Sequence, residues 1–419
     1  MHAITAVFTL LLGVAVILAG SGLLGTLLGV RGPLEGMSAG TLGLIMSGYF
    51  VGYVGGTLLV PKLIRQVGHI RTFAALASLV SIVSLLHGLF VSPALWFLLR
   101  FVAGVCVVGL YIAIESWLNE RTGNEERGNV FSAYMTTTLI GLAVGQLLLL
   151  TGDVSQLELF ALASVLLSLG LVPVALTQVR EPPVVDADRL GLRKLFEISP
   201  VGVVACVFSG LGISAFWGLG PVFAGGLGFD PDGISLYMSL TILGGIVMMW
   251  PVGRLSDRIE RRRVLMMVCA MTAVGAIATL LLIPYGAWAV KVGGFVYGCF
   301  AFSIFSLAAA HTNDHVAPDQ ILEVTSSLQL LWGSGAIVGP IVAGLLIQQF
   351  GPEALMAWFA VAALIPAVFI RYRMTVTRPI PMDEQADFVP QFATSPAALE
   401  MHPEVEESDQ TVEPTAPAP

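Results

Sequence analysis

Charge is scarce in this sequence. Lys, Arg, Asp and Glu make up 11% of its 419 residues, against roughly a quarter in a soluble domain. A solvated surface of ordinary size cannot be built from so little charge. Cysteine is also sparse. Cys106, Cys206, Cys269 and Cys299 all fall inside apolar runs and no pair has metal-ligand spacing, so they read as small core residues. No metal site is expected. The chain has no phosphate-cradling glycine loop, no His-Glu-x-x-His pair and no Ser-His-Asp set. ATP is therefore not expected to drive this protein directly, no cofactor is called for, and an enzyme is not expected. Nucleic acid is not an expected partner either. The net charge of −8 comes from the end of the chain, where residues 383–419 hold nine acids and no Lys or Arg.

Long apolar runs are abundant. Hydrophobic residues make up 56% of the chain and the mean hydropathy is +0.86. Runs of about 20 apolar residues, the length a bilayer-spanning helix needs, recur throughout. They are continuous rather than alternating, which excludes a membrane β-barrel. Twelve spans are expected, at 3–28, 38–60, 72–91, 94–118, 130–151, 157–179, 200–223, 234–252, 264–284, 287–311, 324–349 and 354–370. The first has no basic residues ahead of it and is too long for a signal segment, so it reads as a retained helix. With the N-terminus in the cytoplasm, 17 of the 20 Lys and Arg residues fall on the cytoplasmic side. That asymmetry sets the expected orientation, with both termini cytoplasmic.

The chain reads as built twice. The segment Gly253 to Arg263 carries five arginines, and a weaker copy, Pro61 to Arg71, stands 192 residues earlier. At an offset of 194, Gly104 meets Gly298, Asn119 meets Asn313, Glu120 meets Asp314, Gly141 meets Gly335 and Gly145 meets Gly339. The expected organisation is an N-terminal six-helix half (1–179), a cytoplasmic linker (180–199) with a short amphipathic piece near 190–198, and a C-terminal half (200–373). An acidic tail (374–419) is expected to be disordered, because its composition cannot bury enough apolar surface to fold. A duplicated 6+6 helical array with its site between the halves is a transporter architecture.

Gly253-Arg-Leu-Ser-Asp257-Arg258, followed by Arg261, Arg262 and Arg263, resembles the signature loop of the major facilitator superfamily. Arg100-Phe-Val-Ala-Gly104 is similar to that family's Arg-x-x-x-Gly motif, and Gly335-x-x-x-Gly339-Pro340 to its Gly-Pro helix-packing motif. Together with Gly68-His-Ile-Arg71 and Glu115-Ser116, these stretches resemble the YcaD-like branch, over residues 3–371. The resemblance implies a gating loop in which Asp257 ties to a neighbouring helix N-terminus and to the loop arginines, among them Arg258, Arg261 and Arg262. The chain departs from the family pattern twice: Arg65 stands where the first loop would carry its acid, and Gln146 where Pro340 would have its counterpart.

Charges inside a span cost roughly 3 kcal/mol and tend to face a cavity or a partner. Arg100 and Glu115 are such charges. Fifteen helical residues set them about 60° apart around the helix and about 22 Å apart along it, so they cannot pair. Glu115 is a candidate protonation site and Arg100 a charge that tunes proton or substrate passage. Alternatively, Arg100 snorkels, and Glu115 bonds Asn119, Arg121 or Arg127. Lys291 reads as a snorkelling residue. His311, Asn313, Asp314 and His315 read as a polar cap. Phe216-Trp217-Gly218-Leu219-Gly220-Pro221 suggests a broken helix end facing a cavity, or an interfacial Trp. Tyr49, Tyr53, Gln329 and Trp332 are further cavity candidates. Glycines crowd spans 1 and 2, for close packing or for a flexing cavity wall.

The expected protein is thus an all-α membrane transporter of the bacterial inner membrane. It moves a small neutral, amphipathic or weakly charged solute by alternating access, as a monomer, with protons as the coupling ion. An uncoupled facilitator and a non-transporting receptor or scaffold are the rival readings.

Overall fold

The computed structural model describes residues 2–121, 127–176, 190–317, 320–391 and 393–395. Fifteen α-helices occupy them. The first half holds α1 (His2–Leu34), α2 (Ala39–Val67), α3 (His69–Leu89), α4 (Pro93–Arg121), α5 (Arg127–Leu147), α6 (Glu158–Leu169) and α7 (Leu171–Leu176). A short α8 (Leu192–Ile198) precedes the second half, which holds α9 (Pro200–Gly226), α10 (Pro231–Ser256), α11 (Arg261–Leu282), α12 (Ala287–Ala301), α13 (Ile304–Asn313), α14 (Ile321–Phe350) and α15 (Ala354–Val376). Eleven spans among the described residues are long and apolar enough to cross a membrane, with α12 and α13 read as one. The outer wall carries exposed Leu59, Ile82, Val165, Val274, Leu281 and Val368. Such a surface suits lipid, and the helices satisfy their own backbone groups.

Most spans outrun their expected bounds. α2 has 29 residues, about 43 Å at helical rise, against about 30 Å of hydrocarbon. The overhang lifts Lys62 and Arg65 clear of the apolar zone on helix rather than loop, and Arg254 and Arg261 to Arg263 likewise lie on α10 and α11. Only residues 257–260 remain as a connection there. The end of the bundle holding these residues is called the basic end below. The sixth span is not one continuous helix. It is cut at Gly170 into α6 and α7, and its last residues, 177–179, lie outside those described.

The duplication is written into the packing. A Cβ on Gly141 or Gly145 of α5 would crowd the carbonyl oxygens of Ala15 and Ala19 on α1. On α14, a Cβ on Gly335 or Gly339 would crowd those of Val207 and Leu211 on α9. Gly104 meets the Tyr49 carbonyl and Gly298 that of Thr241, while Gly52 meets Phe101 and Gly244 meets Phe295. Each first-half contact therefore has a second-half twin, shifted by the same pair of sequence offsets. Helix starts repeat too. The Ser38 hydroxyl accepts from the Thr41 N–H at 3.2 Å, and Asp230 from the Gly233 N–H at 2.8 Å, each satisfying a donor the helix leaves open.

The halves meet through α2 on α14, α5 on α10, and α1 on α9. The contacts gather at the end opposite the basic one. Ser47 Oγ donates to the Ile337 carbonyl at 2.7 Å, Ser235 Oγ to that of Gln146 at 2.6 Å, and the Gly40 N–H to Gln348 Oε1 at 3.2 Å. Gly43 and Gly344 let α2 and α14 touch backbone to backbone, and Gly29 seats Pro221.

Two expectations are corrected here. The helix at Phe216 to Pro221 is not broken, since α9 runs through Pro221 to Gly226. The tail does not begin at residue 374, since α15 continues to Val376. Its first stretch is ordered: Gln391, Thr394 and Ser395 are 2%, 3% and 0% exposed. Averaging composition over the whole tail hid the local run Phe388-Val-Pro-Gln391, which finds a wall to pack on. The rest of the tail, 396–419, and most of the expected linker, 180–189, lie outside the described residues. Within the linker, α8 buries Leu195 and exposes Leu192 and Phe196.

Candidate functional site

A cavity of about 160 Å³ lies between the halves. Its walls come from α1, α2, α4, α5, α9, α13, α14, the break between α12 and α13, and residues 393 and 394 of the tail. Gly22 and Gly25 of α1 face it, whereas Gly20 packs on α6. The glycine-rich first span thus packs on α6 through one face and lines the cavity with another. Span 2 divides similarly: Gly48, Gly52 and Gly56 press on α4, and Gly55 faces open space.

Four of the five cavity candidates reach this space. Tyr49, Tyr53, Trp217 and Trp332 line it. Trp217 is therefore a wall of the cavity rather than an interfacial anchor. It meets Phe302 edge-on, with ring centroids 6.0 Å apart, and Trp332 meets Phe50 in the same way at 6.0 Å. Gln329 is not among the lining residues; its Nε2 donates to the Ser395 carbonyl at 3.2 Å.

Arg100 is the only charged side chain among the described lining residues. Its guanidinium sits 4.5 Å from the centroid of the Tyr49 ring, a favourable cation–π placement. The Arg-x-x-x-Gly spacing explains this position. Gly104 lets α4 touch the Tyr49 backbone, and one turn earlier on the same face Arg100 then overlies the Tyr49 side chain. Arg100 is 8% exposed, so it is buried rather than snorkelling.

Glu115 lies nearer the basic end and is fully buried. The Tyr134 hydroxyl of α5 donates to its Oε1 at 2.5 Å, and the Ser395 hydroxyl donates to its Oε2. Neither hydroxyl partner was foreseen. Ser395 stands 280 residues away, and Tyr134 occupied an unremarkable place in span 5.

The loop residues hold the second half together. Arg261 Nη1 meets Asp314 Oδ1 at 2.5 Å, with the two side chains 2% and 1% exposed. Arg261 also donates to Ser256 Oγ at 3.1 Å and to the Ala310 carbonyl at 3.2 Å. Asp314, expected only in a polar cap, is thus the main partner of the loop. Arg262 pairs with Glu260 at 2.7 Å and reaches the Thr377 carbonyl at 3.1 Å. Asp257 stands 3.7 Å from Arg261 and accepts the Phe388 N–H at 2.8 Å. Arg258 ends in the turn after α10, and Gly253 lies flat against the Phe388 ring. Gly335, Gly339 and Pro340 hold α14 to α9 and α2. Gln146, where a proline was the pattern, is buried and bonded to Thr26 of α1. No group of His, Cys, Asp and Glu able to hold a metal occurs among the described residues.

The family model described as Major Facilitator Superfamily matches residues 5–201 and again 202–398. The chain is 28% identical over 362 residues to the MFS-type transporter YcaD of Escherichia fergusonii, covering 86% of this chain and 93% of that protein. It is 26% identical over 328 residues to an MFS-type transporter of Yersinia enterocolitica, covering 77% and 84%. Among solved structures, the nucleoside transporter NupG superposes with a TM-score of 0.71 at 16% identity, covering 88% of this chain and 98% of that one. The D-xylose-proton symporter superposes with a TM-score of 0.70 at 15% identity, covering 88% and 96%.

Proposed function

This chain belongs to the Major Facilitator Superfamily and is a multi-pass membrane transporter of the YcaD-like branch, and we propose that it carries a small amphipathic solute by alternating access coupled to protons. The observation that carries this reading is the pairing of an aromatic-walled cavity with a buried carboxylate beside it. The walls offer Trp217, Trp332, Phe302 and Phe305 to an apolar or planar body, and a single cation, Arg100, to an electron-rich or weakly anionic group. A multiply charged anion would need more cations than this.

Glu115 is the coupling acid in this reading. The Tyr134 and Ser395 hydroxyls both bond its carboxyl within the bilayer. Tyr134 supports either protonation state, since a hydroxyl both donates and accepts. The basic end faces the cytoplasm by the excess of Lys and Arg there, so the closed end faces outward. Alternation requires α2 to part from α14 and α5 from α10 at that end, while the halves approach at the other.

The test is a thermal-shift screen of detergent-solubilised protein against metabolites and drugs, repeated at two pH values with Glu115→Gln alongside. A ligand whose stabilisation varies with pH in the wild type but not in Glu115→Gln is the expected result. A ligand indifferent to both pH and the substitution removes Glu115 from coupling and favours an uncoupled facilitator. No ligand at all favours a receptor or scaffold.

A further inference from the structure

The ordered part of the tail leaves the end of α15, crosses the basic end and enters the space between the halves. Its backbone forms no helix or strand beyond a short turn at Met382–Glu384. Buried backbone groups without secondary structure need partners from elsewhere, and here the walls supply them. Arg261 donates to the Ala386 carbonyl. Asp257 accepts the Phe388 N–H at 2.8 Å. Ser306 accepts the Gln391 N–H at 3.1 Å and donates back to its carbonyl. Tyr53 donates to the carbonyls of Ala393 and Thr394, and Gln329 to that of Ser395. Ser395 then ends on Glu115.

These partners come from both halves: Tyr53 and Glu115 from the first, and Asp257, Arg261, Ser306 and Gln329 from the second. Ala393 and Thr394 form part of the cavity wall itself. Any solute leaving by the basic end, and any approach of the halves there, meets this segment. A tethered segment also acts at an effective concentration in the millimolar range, so a modest set of hydrogen bonds suffices to keep it seated.

We infer that the space between the halves at the basic end is a peptide-binding site whose resident ligand is the chain's own residues 386–391 and 393–395, an autoinhibitory plug that withdraws before the cavity opens to that end. The inference rests on the transporter reading for its consequence, but seating of the segment can be measured without a substrate.

The experiment uses protein in lipid nanodiscs with Cys106, Cys206, Cys269 and Cys299 replaced by alanine and a reporter, Ser21→Cys, in the cavity wall. A bulky maleimide is expected to label the reporter at least ten-fold faster in a chain ending at residue 380 than in the full chain. A chain ending at residue 395 should label as slowly as the full chain. Adding a synthetic peptide of residues 385–395 should slow the shorter chain again, and a scrambled peptide should not. In the full chain, Ser395→Glu sets a second acid against Glu115 and should speed labelling without any truncation. A Ser306→Cys, Gln391→Cys pair should be joined by a short bifunctional thiol reagent. Equal labelling in all lengths together with no cross-link overturns the plug. A plug that behaves as expected in a protein that stabilises with no ligand at any length would instead overturn the transporter reading and leave the plug standing.

Discussion

Glu115 and Asp314 are both buried, in different surroundings. Glu115 accepts from the Tyr134 and Ser395 hydroxyls. Asp314 faces Arg261 at 2.5 Å in a site closed to solvent. Removing one partner of a buried ion pair leaves an uncompensated charge, at a cost of about 3–5 kcal/mol. Asp314→Asn is therefore expected to lower the melting temperature sharply, while a double replacement, Arg261→Met with Asp314→Leu, should recover much of the loss. A melting temperature unchanged in Asp314→Asn would show that the pair contributes nothing. Arg100 gives a milder case. Tyr49→Leu removes its aromatic face and should cost about 0.5–2 kcal/mol, whereas Tyr49→Phe keeps the ring and should stay close to wild type. Equal losses in the two variants would assign the effect to the hydroxyl instead.

At the scale of elements, close helix approach decides where side chains point. α2 and α4 touch through Gly48, Gly52, Gly56 and Gly104, and Gly104 would set a Cβ against the Tyr49 backbone. Backbone cannot swing aside as a side chain can. Gly104→Ala is expected to destabilise by about 1–3 kcal/mol, as overpacking does, and to disturb the Arg100 placement over Tyr49. Gly55, one helix face away, meets nothing within 4 Å. Gly55→Ala should leave stability unchanged or raise it, by less than about 1 kcal/mol. Thermal melts of the two variants side by side check both expectations. The same logic extends to the charged loop. Because Arg261 and Arg262 bind Asp314, Glu260 and Thr377, this loop braces the second half internally, and its reach across the molecule comes through the tail on Asp257 and Arg261.

For the whole molecule, the proposed orientation makes a plain prediction. A cysteine placed at Arg258 should react with an impermeant reagent only from the cytoplasmic side of sealed vesicles, and one placed at Glu35 only from the outside. The reverse pattern would invert the topology. The closed end makes another. Cross-linking Ser38→Cys to Gln348→Cys, whose native side chains meet at 3.0 Å, should hold α2 on α14 and stop any alternation. Continued ligand cycling in the cross-linked protein would show that this end does not need to open.

The sequence by itself determined the all-helical membrane class, the two halves and most helix positions, because these depend on local quantities: the length of an apolar run, the pitch of a helix and the offset between repeated glycines. It also singled out Arg100, Glu115, Tyr49, Tyr53, Trp217 and Trp332, since charge and aromatics inside a span stand out against aliphatic surroundings. Only the tertiary structure decided their partners. Tyr134 and Ser395 come to Glu115 across 19 and 280 residues, and Asp314 comes to Arg261 across 53. No periodicity or spacing encodes such pairings. The tail shows the limit most plainly. Alone it has too little apolar surface to fold, and its described stretch up to Ser395 is ordered because two halves of the same chain build walls whose hydrogen-bonding groups match its backbone.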